Sequence, residues 1–210
     1  MIKVIIFDWD GVIVDSMPSI AQGIQETALS YGIKIDINNI LDGFFQPRDA
    51  YYRSLGIDTT DQDELNKRHH NFIRKYLKPA PLFSEVAEVL FFLKKNNFKL
   101  GIASTTETSY IIEQLDNFDL GNIFTKELIF GGEIAKEKKL KKFIEIFNLP
   151  TNEILYVGDL PSDISAARFV SIKAAGIERR EAARNRLALL NPDYIFSSFN
   201  ELRSLAEKQI

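Results

Sequence analysis

Asp8, Asp10 and Asp15 crowd the stretch DWDGVIVDS, directly after the apolar, β-branched run at residues 4–7. A run of that kind forms a strand buried on both faces. Carboxylates at its end are costly unless something neutralises them, and a divalent cation is the simplest partner. A second acidic pair, Asp159 and Asp163 in GDLPSD, follows the apolar run at 154–157. Carboxylates in this arrangement suit phosphoryl transfer, which needs an in-line nucleophile, counter-charge for the equatorial oxygens and a proton for the leaving group. Asp8, ending its strand, would be the nucleophile and form an aspartyl-phosphate. Asp10, two residues on, would protonate the leaving oxygen and then deprotonate the attacking water. Gly11 lets the backbone turn sharply after them. Mg²⁺ takes carboxylates, carbonyls and waters, so Asp8, the Asp10 carbonyl and Asp159 are the protein ligands expected of it.

The elements that must position these groups are legible as alternating patterns. Apolar runs at 4–7, 100–103, 128–130, 154–157, 172–175 and 194–196 read as strands. Helical stripes lie between them, Val86, Val89, Leu90 and Leu93 in one and Leu140, Phe143, Ile144 and Phe147 in another. Such alternation predicts an α/β fold, a Rossmann-like parallel sheet with helices on both faces. Ligands of such sheets bind beyond the carboxyl ends of the strands, where Asp8, Asp10, Ser104 and Asp159 fall. Residues 17–79 interrupt the alternation with helical periods alone: Ile20, Ile24, Ala28 and Leu29 in one helix, Tyr51, Tyr52 and Leu55 in a second, and residues 63–76 in a third. The predicted organisation is a core of residues 1–16 and 80–210 with a small helical insert at 17–79. The Lys-Pro-Ala-Pro stretch at 78–81 would be a linker, and the insert would pivot on it and on residues 15–18.

Composition narrows the function classes. With 45% hydrophobic residues the chain can bury a sizeable core, and a net charge of −3 argues against a binder of nucleic acid through its phosphates. The absence of cysteine removes disulfides, zinc-thiolate sites and a thiol nucleophile. The N-terminal apolar run is broken by Asp8 and Asp10, so it reads as neither a signal peptide nor a membrane span. A cytoplasmic protein is expected, with no membrane or nucleic-acid partner and an oligomeric state the sequence does not specify.

Four pieces in order, DWDGVIVDS at 8–16, IAST at 102–105, a lysine near 136 and GDLPSD at 158–163, resemble the haloacid dehalogenase superfamily of phosphotransferases. The insert resembles that family's C1-type cap, and the whole is similar to its phosphoglycolate phosphatase and β-phosphoglucomutase-like branch. The resemblance implies a Mg²⁺-dependent phosphatase acting on a small phosphorylated metabolite. It also implies a structural role for Asp15, which with Ser16 before Pro18 reads equally as a helix N-cap. Ser104 and Thr105 would bind phosphate, although they could cap the helix carrying Tyr110 and Ile111 instead, since caps and anion sites share the same physics. Lys136 opens a helix ahead of its apolar stripe and is the expected cation for the phosphoryl group and Asp8. The family usually has Lys-Pro here, this chain has Lys136-Glu137, and Lys138 is the second choice. Asp163, inside the first turn after Pro161, would orient a metal-bound water or Lys136.

In the insert, Arg48 among Phe44, Phe45, Tyr51 and Tyr52 could clamp a second anionic group of the substrate, or pack as a surface arginine. His69 and His70 read as surface or packing residues, because adjacent helix positions face apart. A sugar-phosphate mutase is the alternative on the same fold. A dehalogenase needs no proton donor, so Asp10 argues against one, and a phosphonate hydrolase would need a cap lysine such as Lys34 or Lys67. A non-catalytic binding module would be expected to have lost one of Asp8, Asp10 and Asp159, and all three are present.

Overall fold

The apolar runs become β1 (Val4–Phe7), β2 (Lys99–Ala103), β3 (Ile129–Phe130), β4 (Ile154–Gly158), β5 (Lys173–Ile177) and β6 (Tyr194–Phe196). The computed structural model describes residues 1–76 and 79–210; Lys78, the first residue of the expected linker, lies outside the described residues. Among the described residues the strands form one six-stranded sheet in the order β3-β2-β1-β4-β5-β6, every neighbouring pair parallel. The chain steps outward from β1 through β2 to β3, then returns to the other side of β1 for β4. The switch point therefore lies between the carboxyl ends of β1 and β4, where Asp8 and Asp159 follow their strands.

All four residues of β1 are buried, as a strand covered on both faces requires. Four strands depart from the expected ranges: β2 gains Lys99, β4 gains Gly158, and β3 and β5 each start one residue later. Leu128 belongs to a 3₁₀ turn, Lys126–Leu128, that delivers the chain to β3. Ile172 closes the preceding helix instead of opening β5, its N–H donating to the Ala167 carbonyl at 3.1 Å after Ser171 turns at φ 60°. The strand then runs on through Gly176 to Ile177, past the point where the apolar run breaks in sequence.

The helices are α1 (Met17–Ser30), α2 (Ile37–Gly43), α3 (Arg48–Ser54), α4 (Gln62–Tyr76), α5 (Val86–Lys95), α6 (Thr108–Asn117), α7 (Lys136–Phe147), α8 (Pro161–Phe169), α9 (Glu181–Ala188) and α10 (Phe199–Glu207). None of them is long and apolar enough to cross a membrane. Two compact units result, residues 1–14 with 82–210, and residues 15–81.

In the first unit Val4 and Ile6 of β1 join a core with Leu140 and Phe143 of α7 and Ile164 and Ala167 of α8. Phe7, of opposite strand parity, stacks on Phe199 of α10 with ring centroids 5.5 Å apart. The predicted stripe of α5 is fully buried. In the second unit α1 packs against α4 and α2. Only Ile40 of α2 is buried; the helix is started by Asp36, whose side chain accepts from the Asn38 N–H at 2.7 Å. Ser16 stands at the N-cap of α1 with helical backbone angles and makes no side-chain cap bond.

Candidate active site

Asp8 leaves β1 with its N–H still bonded to the Val157 carbonyl of β4 at 2.9 Å, so the sheet itself fixes where its carboxylate begins. Oδ1 accepts from the Trp9 N–H at 2.8 Å, and Oδ2 accepts from the Lys136 ammonium at 2.5 Å. Lys136 is the first residue of α7, and the same ammonium donates to Asp163 Oδ1. Asp163 lies in the first turn of α8, where its Oδ2 accepts from the Leu160 N–H at 2.9 Å and closes the helix start. A side chain at Gly158 would sit 2.3 Å from Asp163 Cβ, so glycine at the end of β4 is what admits this carboxylate. One carboxylate oxygen from each of Asp8, Asp159 and Asp163 falls within 4.8 Å of the others, and all three residues are buried.

The turn after β1 brings Asp10 to the next strand. Ile13 and Val14 both donate their N–H to the Trp9 carbonyl, at 2.9 and 3.2 Å, and Gly11 takes the positive φ of 71° that this tight reversal needs. The Asp10 carboxylate then accepts from the Thr106 hydroxyl, in the loop after β2. Ser104 is buried beneath that loop, its Oγ accepting from the Thr106 N–H at 3.2 Å. It does not cap α6, which starts at Thr108 with Glu107 as its N-cap residue. Thr105 is exposed. Lys138 is exposed as well, while Lys136 carries the contacts to Asp8 and Asp163.

Comparison with known proteins bears on what these groups do. The family of haloacid dehalogenase-like hydrolases matches residues 5–177. The chain belongs to that family. It is 28% identical to a phosphoglycolate phosphatase of Photorhabdus laumondii over 97% of this chain and 92% of that one. A haloacid dehalogenase-like hydrolase from Streptococcus pneumoniae superposes with a TM-score of 0.80 at 22% identity, covering 97% of this chain and 98% of that one. A protein titled putative β-phosphoglucomutase from Bacteroides vulgatus gives 0.77 at 17% identity over 98% and 88%, a likeness of fold. Family and curated relatives together make this haloacid dehalogenase-like hydrolase a phosphatase.

Electrostatics at the strand ends of this hydrolase are dominated by negative charge. Burial pushes the Asp159 carboxyl well above the usual carboxylate range, and the nearby Asp163 and Asp8 carboxylates add to it. Asp163 is also raised by burial, against the opposing pull of Lys136. Burial alone would lower the Lys136 ammonium, yet Asp163 and Asp8 outweigh it and hold its pKa well above the usual lysine value. The donor set therefore fits a hard divalent cation: buried oxygens in close array, with more negative charge than Lys136 balances.

Three residues at this end carry no obvious chemical signal in sequence. Thr106 is a third hydroxyl after Ser104 and Thr105. Tyr156, fully buried in β4, donates to the Ala103 carbonyl at 3.0 Å and lies 3.4 Å from Asp163 Oδ1. Lys139, read from the run AKEKKLKK as part of a solvated face, is buried.

In the second unit, Arg48 opens α3 and donates to Asn66 Oδ1 of α4 at 2.5 Å. Phe44 and Phe45 meet Tyr51 edge-on at 5.1 and 5.5 Å between centroids. His69 is buried and shares a 2.8 Å hydrogen bond with the Tyr52 hydroxyl, whereas His70 is exposed.

Proposed function

We propose that this phosphatase hydrolyses a small phosphorylated metabolite through an aspartyl-phosphate on Asp8, with Mg²⁺ as cofactor, in the cytoplasm. The observation that carries the reading is the Lys136 ammonium shared by Asp8 and Asp163 beside the β1–β4 switch point. An Asp8 oxygen forms the bond to phosphorus as the bond to the leaving oxygen breaks, and Asp10 gives that oxygen its proton. Asp10 then takes a proton from the water that attacks the phosphoryl group, releasing phosphate and restoring the Asp8 carboxylate. Lys136 offsets the charge of Asp8 as the anionic phosphate approaches, and Ser104, with Thr105 and the Gly11 turn, is assigned to the phosphate oxygens.

Mg²⁺ would be held by Asp8, Asp159 and the Asp10 carbonyl, with Asp163 supporting, and would neutralise charge on the phosphoryl oxygens. The name of the curated relatives points to substrates that are small and carry an acid besides the phosphate. Arg48, its guanidinium anchored by Asn66, is the cation assigned to that second group. The test is hydrolysis of p-nitrophenyl phosphate with Mg²⁺ and again with EDTA. Turnover that EDTA abolishes supports the reading, and turnover indifferent to EDTA contradicts the metal.

A further inference from the structure

Lys139 is a buried titratable group that the mechanism above leaves unused. It sits three residues after Lys136 on α7, so both ammonium groups emerge on one face of the helix. Lys136 meets carboxylates; Lys139 makes no ion pair with one among the described residues. Its Nζ donates to two backbone carbonyls, that of Ser104 just past β2 and that of Gly132 just past β3, the latter at 2.5 Å. The loops it joins are already laced together: Ser104 N–H to the Phe130 carbonyl at 3.1 Å, Gly132 N–H to the Thr106 carbonyl at 2.9 Å, and Gly131 N–H to Thr108 Oγ1 at 2.8 Å. From Ser104 the hydrogen bonds continue through Thr106 to the Asp10 carboxylate.

We propose that Lys139 is a positioning residue for catalysis. By tying the Ser104 and Gly132 carbonyls together it fixes the loop that presents Ser104 and, through Thr106, sets the orientation of the Asp10 carboxylate. The proposal rests on Asp10 being the general acid and base. Burial and the neighbouring Lys136 charge push the Lys139 ammonium down to about 8, so the contact is kept against a desolvation cost. Methionine has similar length and no donor. In its place both carbonyls would be left unpaired, and the loop would relax toward other partners.

The experiment compares kcat/KM on p-nitrophenyl phosphate, whose leaving group needs little help from an acid, with kcat/KM on phenyl phosphate, whose leaving group needs more. kcat/KM reads leaving-group departure and not the later hydrolysis of the aspartyl-phosphate that all substrates share. Asp10→Asn is expected to raise the ratio of the two about a hundredfold, and Lys139→Met about tenfold, since a misaligned acid keeps part of its effect. The double variant should show no higher ratio than Asp10→Asn alone. If Lys139→Met slows both substrates alike, or neither, while Asp10→Asn keeps its split, Lys139 is a brace for stability and the proposal is overturned. If Asp10→Asn shows no split, the acid–base role of Asp10 fails first, and the Lys139 proposal falls with it. Should Lys139→Met not fold, Thr106→Val interrupts the same connection nearer to Asp10. A ratio raised about tenfold supports the proposal, and an unchanged ratio overturns it.

Discussion

Each unit of the molecule buries titratable side chains, and the two surround them differently. At the carboxyl ends of β1 and β4, Asp8, Asp159 and Asp163 are buried around Lys136, whose ammonium Asp163 and Asp8 hold charged although burial raises the Asp159 and Asp163 carboxyls. In the helical unit, burial pushes His69 down to about 3 and Tyr52 up to about 12, so their hydrogen-bonded pair is neutral at pH 7. Burial normally discharges a group in this way. Where charge survives in the interior, a compensating charge must be supplied, and at the strand ends Lys136 supplies part of it. The Tyr52–His69 pair joins α3 to α4, whereas at the strand ends three carboxylates surround one ammonium.

The sharpest way to break this contrast is Asp159→Asn. The folded-state pKa of Asp159 is raised, so ionised Asp159 costs stability that is regained only as pH falls toward the unfolded value. At neutral pH in EDTA the variant should therefore melt above wild type, while turnover of p-nitrophenyl phosphate falls by about a hundredfold or more. Equal or lower Tm would mean that the carboxylates are already balanced without a cation.

A smaller effect tests the neutral side. The unfolded chain protonates His69 near pH 6.5, and the folded chain resists until about 3, so stability falls as pH drops through that window. By pH 5 the loss is about 2 kcal/mol at 1.36 kcal/mol per unit. His69→Gln should flatten that part of the Tm–pH curve; a variant as acid-sensitive as wild type would remove His69 from the account. Smallest is Arg48→Ala, expected to raise KM several-fold for a substrate with a second anionic group and to leave p-nitrophenyl phosphate unchanged. Equal losses on both would tie Arg48 to its Asn66 contact and the fold of the helical unit alone.

What the sequence discloses follows from how local each signal is. β1 and the stripe of α5 are legible because their patterns are written in a short stretch of chain and match their burial, and in α7 Leu140 and Phe143 are buried while Ile144 and Phe147 are half-buried. Helix α2 is not, since a single buried Ile40 makes no stripe. The place of Lys136 ahead of the α7 stripe already points it at the strand ends. Lys139 occupies what reads as the polar face of the same helix, and its acceptors lie on loops the sequence gives no reason to bring there. Thr106 meets Asp10 across 96 positions of chain, a contact that only the β1–β2 pairing creates.

The central claim is that Asp8 becomes covalently phosphorylated. The direct measurement is acid quench during turnover of radiolabelled phenyl phosphate, followed by borohydride reduction of the acyl-phosphate and peptide mass spectrometry. The account predicts homoserine at position 8 and no label retained by Asp8→Asn. Label at Asp10 or Asp159, or turnover that persists in Asp8→Asn, would contradict it.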